Sequence, residues 1–218
     1  MKQLVIFDLD GTVLNTIADL GNSTNYALKQ LGYPMHDIPS YRFRVGNGIN
    51  KLFERALPEG EKSEENVLRV RQQFLPYYGE HCTDATQPYE GIPELLHRLQ
   101  SAGIRMAIAS NKYQYATSKL IKHFYGDIPF VAIMGQQDGR PTKPNPAIVD
   151  EILNLASISK EDVLYVGDSG VDMHTAQNAH VEACGVTWGF RPIDELQEYN
   201  PAHIVSTPDD IYRLAMTD

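Results

Sequence analysis

Val5, Ile6 and Phe7 form a short apolar run that breaks off at Asp8-Leu9-Asp10-Gly11-Thr12. A β-branched and aromatic run with no charge inside it predicts a buried strand, placed at residues 3–8. From residue 15 to 87 the rhythm is helical. Ile17, Leu20, Thr24, Ala27 or Leu28, and Leu31 recur at helical spacing. Thr16 and Asp19 stand at capping-box separation, and Gly32 marks the stop. After a loop containing Pro34 and Pro39, Ile49, Leu52, Phe53 and Ala56 define a short helix over residues 49–57. Ser63 caps a longer one, striped by Val67, Val70, Phe74 and Tyr78. No strand is predicted in this block.

Beyond Pro88 the pattern changes to short apolar runs alternating with amphipathic segments. Helices are predicted at residues 92–102, with Pro93 in the first turn, at 113–124, from Asn145 as cap to 156, and to about 179. Between them fall strands at 104–109, 130–134, 163–166 and 182–187, with weaker elements at 203–205 and 209–216. This alternation is the mark of a parallel sheet covered by helices on both faces. The predicted class is α/β, a doubly wound, mostly parallel sheet that also takes in the opening strand. Residues 1–14 and 88–218 then form a core, and residues 15–87 an inserted α-helical domain.

Composition narrows the function. The 218 residues carry 19 basic and 28 acidic side chains, a formal charge of −9. That balance argues against the basic surface a nucleic-acid binder needs. Cys82 and Cys184 have no metal-type or redox-type spacing, which predicts buried thiols in a reducing compartment. Asp8 and Asp10 interrupt any signal-peptide core, and no apolar run approaches the ~20 residues that cross a bilayer. A cytoplasmic protein, monomeric or a small homo-oligomer, is expected.

Candidate chemistry gathers where the predicted strands end. In an open parallel sheet, ligands collect at the carboxyl edge. Asp8 and Asp10 lie there, with Ser110-Asn111, and with Asp168 followed by Asp172. Lys143 precedes the Pro144-Asn145-Pro146 helix start, where flanking prolines stiffen its approach. Two carboxylates ~4 Å apart at an effective dielectric of ~20 repel by about 4 kcal/mol. A cation is therefore expected beside them, most simply a hard metal ion.

Asp8-Leu9-Asp10-Gly11-Thr12, Ser110 after its strand, Lys143 in Lys-Pro-Asn-Pro and Gly167-Asp168-Ser169-Gly170-Val171-Asp172 together resemble the haloacid dehalogenase-like hydrolase superfamily, specifically its phosphatases. The insertion resembles that superfamily's small α-helical (C1-type) cap on a Rossmann-like core. Val45-Gly46-Asn47-Gly48, Glu54-Arg55-Ala56-Leu57 and Val186-Thr187-Trp188-Gly189 are similar to stretches of phosphoglycolate phosphatases. Asn15 departs from the pattern, since many relatives carry an acid there.

The resemblance implies a Mg²⁺-dependent hydrolysis of a small phosphorylated metabolite, with 2-phosphoglycolate as the first choice. Asp8 is the implied nucleophile, forming an aspartyl-phosphate, and Asp10 the general acid and base. Ser110 and Lys143 complete the catalytic set. Asp10, Gly11, Thr12, Ser110, Asn111 and Lys143 are the implied phosphate-holding group. Asp8, the Asp10 carbonyl and Asp168 form the metal shell, and Asp172 orients it directly or through Lys143. Arg42 and Arg44 are candidates for a substrate carboxylate. A pyrophosphatase, a nucleotidase and a sugar-phosphate mutase are the enzymatic alternatives, and a phospho-acceptor signalling module is the alternative from another class. Dehalogenation is disfavoured, because Asp10 supplies a proton-transfer group that reaction does not need.

Overall fold

A computed structural model describes residues 1–217. Its strands in chain order are β1 (Leu4–Phe7), β2 (Leu14–Asn15), β3 (Gln87–Pro88), β4 (Arg105–Tyr113), β5 (Ala132–Gln136), β6 (Val163–Gly167), β7 (Glu182–Val186) and β8 (His203–Val205). The helices are α1 (Ile17–Gln30), α2 (Ile49–Ala56), α3 (Glu64–His81), α4 (Ile92–Ser101), α5 (Gln114–Tyr125), α6 (Ala147–Ala156), α7 (Gly170–Ala179), α8 (Ile193–Gln197) and α9 (Pro208–Met216).

Six strands build one parallel sheet in the order β5-β4-β1-β6-β7-β8. β1 lies inside it, with Leu4 opposite Arg105 on one side and Val163 on the other. Side chains of a strand alternate between faces, and here both faces are apolar. Val5 and Phe7 join the layer under α4, α5 and α9, through Leu96, Leu120 and Ile211 among others. Leu4 and Ile6 join the opposite layer under α6 and α7, through Val149, Ile152 and Met173. This two-sided burial explains why β1 reads as an unbroken apolar run. It also makes the α/β, doubly wound class a finding. From β1 the chain goes out to β4 and β5, then returns to β6 on the other flank. The reversal opens a crevice at the carboxyl end of β1.

α1, α2 and α3 pack together between β2 and β3. Phe74 is their hub, with its ring centroid 4.9 Å from those of Phe53 and Tyr78. The chain enters and leaves this helical unit side by side: Leu14 pairs with Pro88 and Asn15 with Gln87 in a short antiparallel ladder. The sequence pattern predicts no strand from residue 15 to 87, and this ladder sits on those two limits.

The predicted Thr16–Asp19 capping box does not form. Thr16 makes no side-chain cap on α1. Asp19, 2 % exposed, instead reaches across the ladder. It accepts bonds from the N–H groups of Ala85 (3.0 Å) and Thr86 (2.8 Å) and from the Thr86 hydroxyl (2.7 Å). Asp19→Ala will leave these buried donors unpaired at a cost of about 3 kcal/mol. Thermal unfolding should show Tm lower by about 6–10 °C.

Other boundaries also shift. Asn145 accepts a bond from the Ala147 N–H but precedes the helix by two residues, so α6 begins one residue later than predicted, after Pro146. β4 runs on through Ser110 to Tyr113 with an irregular register, and α8 was not anticipated. Among the described residues no helix is long and apolar enough to cross a membrane.

Candidate active site

The chain leaves β1 at Asp8, whose N–H still bonds to Val166 (2.9 Å). It then folds tightly on itself, with the Leu9 carbonyl accepting from the N–H groups of Thr12, Val13 and Leu14. Asp8 therefore stays at the sheet edge while Asp10 projects from the turn.

Lys143 holds Asp8. Its buried ammonium lies 2.9 Å from Asp8 Oδ1, 2.7 Å from Asp172 Oδ1, 2.9 Å from the Ala109 carbonyl and 3.2 Å from the Tyr165 hydroxyl. Burial alone would push this ammonium toward the neutral form, but Asp172 and Asp8 outweigh it and hold its pKa well above the ordinary value. Asn111 fixes the lysine's backbone from both sides. Its Oδ1 accepts from the Lys143 N–H (2.8 Å), and its Nδ2 donates to the Lys143 carbonyl (3.1 Å).

Asp168 ends β6 and accepts a bond from the Phe190 N–H (2.6 Å). Gly11 and Gly189 close on its carboxylate so tightly that a Cβ at either position would overlap it. Asp172 forms a capping box with Ser169 at the start of α7. Its Oδ2 accepts from the Ser169 hydroxyl (2.5 Å), so both of its oxygens already have protein partners.

Asp8, Asp168 and Asp172 each place a carboxylate oxygen within 4.8 Å of the others. One ammonium does not balance three acids. Burial first, and the Asp172 charge second, raise the Asp8 carboxyl from 3.8 to about 7. The same two causes, in the same order, hold Asp168 well above the ordinary range. An all-oxygen, electron-rich, buried donor set of this kind fits a hard divalent cation.

Asp10 faces the other way. Its Oδ1 accepts from the Thr16 hydroxyl (2.6 Å), and the Lys112 ammonium spans both oxygens at 2.8 and 3.1 Å. Lys112 is buried, 4.9 Å from the centroid of the Tyr78 ring on α3. Asp8, Asp10, Ser110, Asn111, Lys143 and Asp168 all line one cavity of about 40 Å³ at the carboxyl edge.

Three of the expected residues lie away from the cavity. Gly11 and Thr12 turn their N–H groups inward, to Leu14 (2.9 Å) and Leu9 (3.3 Å), and neither lines the cavity. The role visible for Gly11 is to admit the Asp168 carboxylate. Arg44 is turned away as well: it donates to the Ser40 carbonyl (2.8 Å) and lies over the Tyr41 ring. Arg42 donates to the Phe190 carbonyl (2.9 Å) at the seam between helical unit and core. Sequence reading also missed Lys112, Tyr165 and Thr16. Only Lys112 had a visible signal, as the third residue of Ser110-Asn111-Lys112 at a strand end.

Asp8, Asp168, Asp172 and Lys143 gather at the switch point of a parallel sheet, beneath a helical insertion, and residues 5–186 match the haloacid dehalogenase-like hydrolase family. The chain belongs to that family. It is 31% identical over 207 residues to a phosphoglycolate phosphatase of Psychrobacter arcticus, covering 92% of this chain and 90% of the relative. A Mesorhizobium japonicum phosphoglycolate phosphatase is also 31% identical, over 94% of this chain and 91% of its own. A solved Lactobacillus delbrueckii subsp. bulgaricus structure, provisionally designated a phosphoglycolate phosphatase, superposes with a TM-score of 0.93 at 29% identity over the whole of both chains.

Proposed function

We propose that this chain is a phosphate monoester hydrolase that forms an aspartyl-phosphate on Asp8, requires Mg²⁺, and acts on 2-phosphoglycolate. One observation carries the chemistry: Asp8 is a buried carboxylate fixed by Lys143 at the sheet edge, with a second acid two residues on in the same cavity. The substrate follows from the relatives' names.

In the first half-reaction Asp8 attacks phosphorus, the bond to the leaving oxygen breaks, and Asp10 gives that oxygen a proton. In the second, a water attacks the same phosphorus, Asp10 takes its proton, and inorganic phosphate leaves Asp8 ionised again. Ser110 holds the phosphoryl oxygens, and Lys143 aims Asp8 and favours its ionised form against burial and Asp172. Mg²⁺, held by Asp8, Asp168 and the Asp10 carbonyl, would neutralise charge on the phosphoryl group. Asp172 acts behind that shell, through Lys143 and Ser169.

Residues 15–87 serve as the cap, and residues 1–14 and 88–218 as the catalytic core. The helical unit supplies one wall of the cavity through Leu20, Val45 and Leu52, so its movement would change access to Asp8. Reduced, buried Cys82 and Cys184 support a cytoplasmic site of action.

Acid quenching during turnover, followed by peptide mass spectrometry, should place the phosphoryl group on Asp8. A phosphoryl group on another residue, or none, would overturn the mechanism. Chelation should lower the rate by at least about 100-fold, and added Mg²⁺ should restore it. Undiminished phosphate release in chelator would refute the metal requirement.

A further inference from the structure

The cavity that holds Asp8 is lined by three cations, Lys112, Lys143 and Arg191. Two already hydrogen-bond to protein carboxylates. Lys143 bonds to Asp8 and Asp172, and Lys112 spans Asp10. Arg191 is different. Its side chain is 12% exposed, and its NH2 donates to the Val45 carbonyl at 2.8 Å. Glu195 Oε2 stands 3.7 Å from its Nε, an ion pair longer than a hydrogen bond, while Glu195 Oε1 accepts from the Gly170 N–H at 3.0 Å. A guanidinium has five N–H donors in a planar fork. This one hydrogen-bonds only to Val45 among the described residues, and it lines the cavity.

Position and surroundings suit an anion. Phe190 donates its N–H to Asp168, and Pro192 begins the approach to α8, so the intervening arginine backbone is held on both sides. Arg55 is close enough that Arg191 helps lower its pKa, after burial. Arg55 is itself anchored on the facing loop, donating to Arg44 and Asn47. Glu54 and Glu195 offset part of the repulsion between these two guanidiniums, and an anion bound at the seam would offset more of it. The cavity wall beside them is apolar, formed by Leu20, Val45, Ile49 and Leu52. A short hydrocarbon link between two anionic ends fits that lining, whereas a polyhydroxylated or base-bearing leaving group does not.

We propose that Arg191 is the specificity residue of this site, binding a carboxylate on the leaving group while the phosphoryl end sits on Asp8. The substrate class is the phosphate ester of a short hydroxy acid. This inference rests on the phosphatase reading above. It assigns to a core loop the task that the sequence pattern offered to Arg44.

The test compares 2-phosphoglycolate with ethyl phosphate, which keeps the two carbons and lacks the carboxylate. The readout is the ratio of the two kcat/KM values, measured for the intact protein and for Arg191→Gln and Arg191→Lys, with melting curves for each. The wild-type ratio should strongly favour 2-phosphoglycolate. Arg191→Gln should lower it by about 100-fold, and Arg191→Lys, which keeps charge but loses the fork, by about 10-fold. If Arg191→Gln does not fold, the lysine variant decides. An equal loss on both esters would assign Arg191 to holding the Val45 loop and overturn the proposal. An unchanged ratio in a folded variant would do the same. A wild type that hydrolyses both esters equally well leaves the phosphatase reading intact and removes this inference; one that hydrolyses neither removes both.

Discussion

Asp8→Asn will fold, melt higher than the wild type in metal-free buffer, and release no phosphate. The loss of turnover should be at least about 10⁴-fold, because an amide cannot serve as the covalent nucleophile. The gain in stability has an electrostatic origin. Asp8 is buried against Asp172, and its carboxyl is raised from 3.8 to about 7. The folded chain thus binds that proton more tightly than the unfolded chain does. The stability tied to Asp8 is present below about pH 4 and is lost as pH rises through about 7. Asparagine is neutral at every pH and escapes the loss, while its side-chain oxygen still accepts from Lys143. Melting curves in chelator should show the variant a few degrees above wild type at pH 8 and level with it near pH 4. A folded variant that keeps its turnover would exclude Asp8 as the nucleophile. One that is destabilised at pH 8 would exclude the electrostatic account.

Lys143→Met should be the most destabilising single change in the site. Methionine keeps the length and apolar stem, so packing is nearly preserved. What disappears is the ammonium that faces Asp8 and Asp172. Breaking a buried pair by removing one partner costs about 3–5 kcal/mol, since the other charge stays buried. For a chain of this size Tm should fall by about 10 °C at pH 8. In the wild type the Lys143 pKa is raised, so its contribution is complete at all pH values below the ordinary lysine range. Any pH dependence of the loss must therefore come from the acids. Asp8, already raised by burial, can take up a proton once the cation is gone, so the deficit should shrink toward pH 5. A deficit that is constant from pH 5 to 8 would point to packing instead. Activity should fall together with stability at pH 8.

How far the sequence reveals this arrangement depends on the kind of interaction. β1, β4 and β6 are buried on both faces, so each reads as a continuous apolar run, and the polar residue that ends it marks the carboxyl edge. That is why Asp8, Ser110 and Asp168 could be placed at one edge from pattern alone. Lys143 could be added because prolines restrict its backbone. Interactions that depend on the path of a loop through space left no such trace. Arg191 follows β7 in a turn without periodicity, and Arg44 in its loop was equally plausible on sequence. Thr16 and Asp19 show how a local rule can mislead. Their spacing satisfies a capping box, yet Thr16 serves Asp10 and Asp19 serves Thr86, because tertiary partners displaced the helix end. Asn145 misled in a similar way, since its side chain bonds the Ala147 N–H from ahead of the first helical turn.

The paired crossings at Leu14–Asn15 and Gln87–Pro88 restrict how the helical unit can travel. Two chains hydrogen-bonded to each other, and cross-braced by Asp19, form a strap rather than two independent tethers. A strap resists twisting and sliding and bends most easily about one line. Any swing of the helices then traces a single arc, whose displacement grows with distance from that line. The loop carrying Val45 and Gly46 meets the core through single hydrogen bonds to Arg191 and Asn111, beside the Arg42 bond to Phe190. It is there, opposite the strap, that the gap should open first.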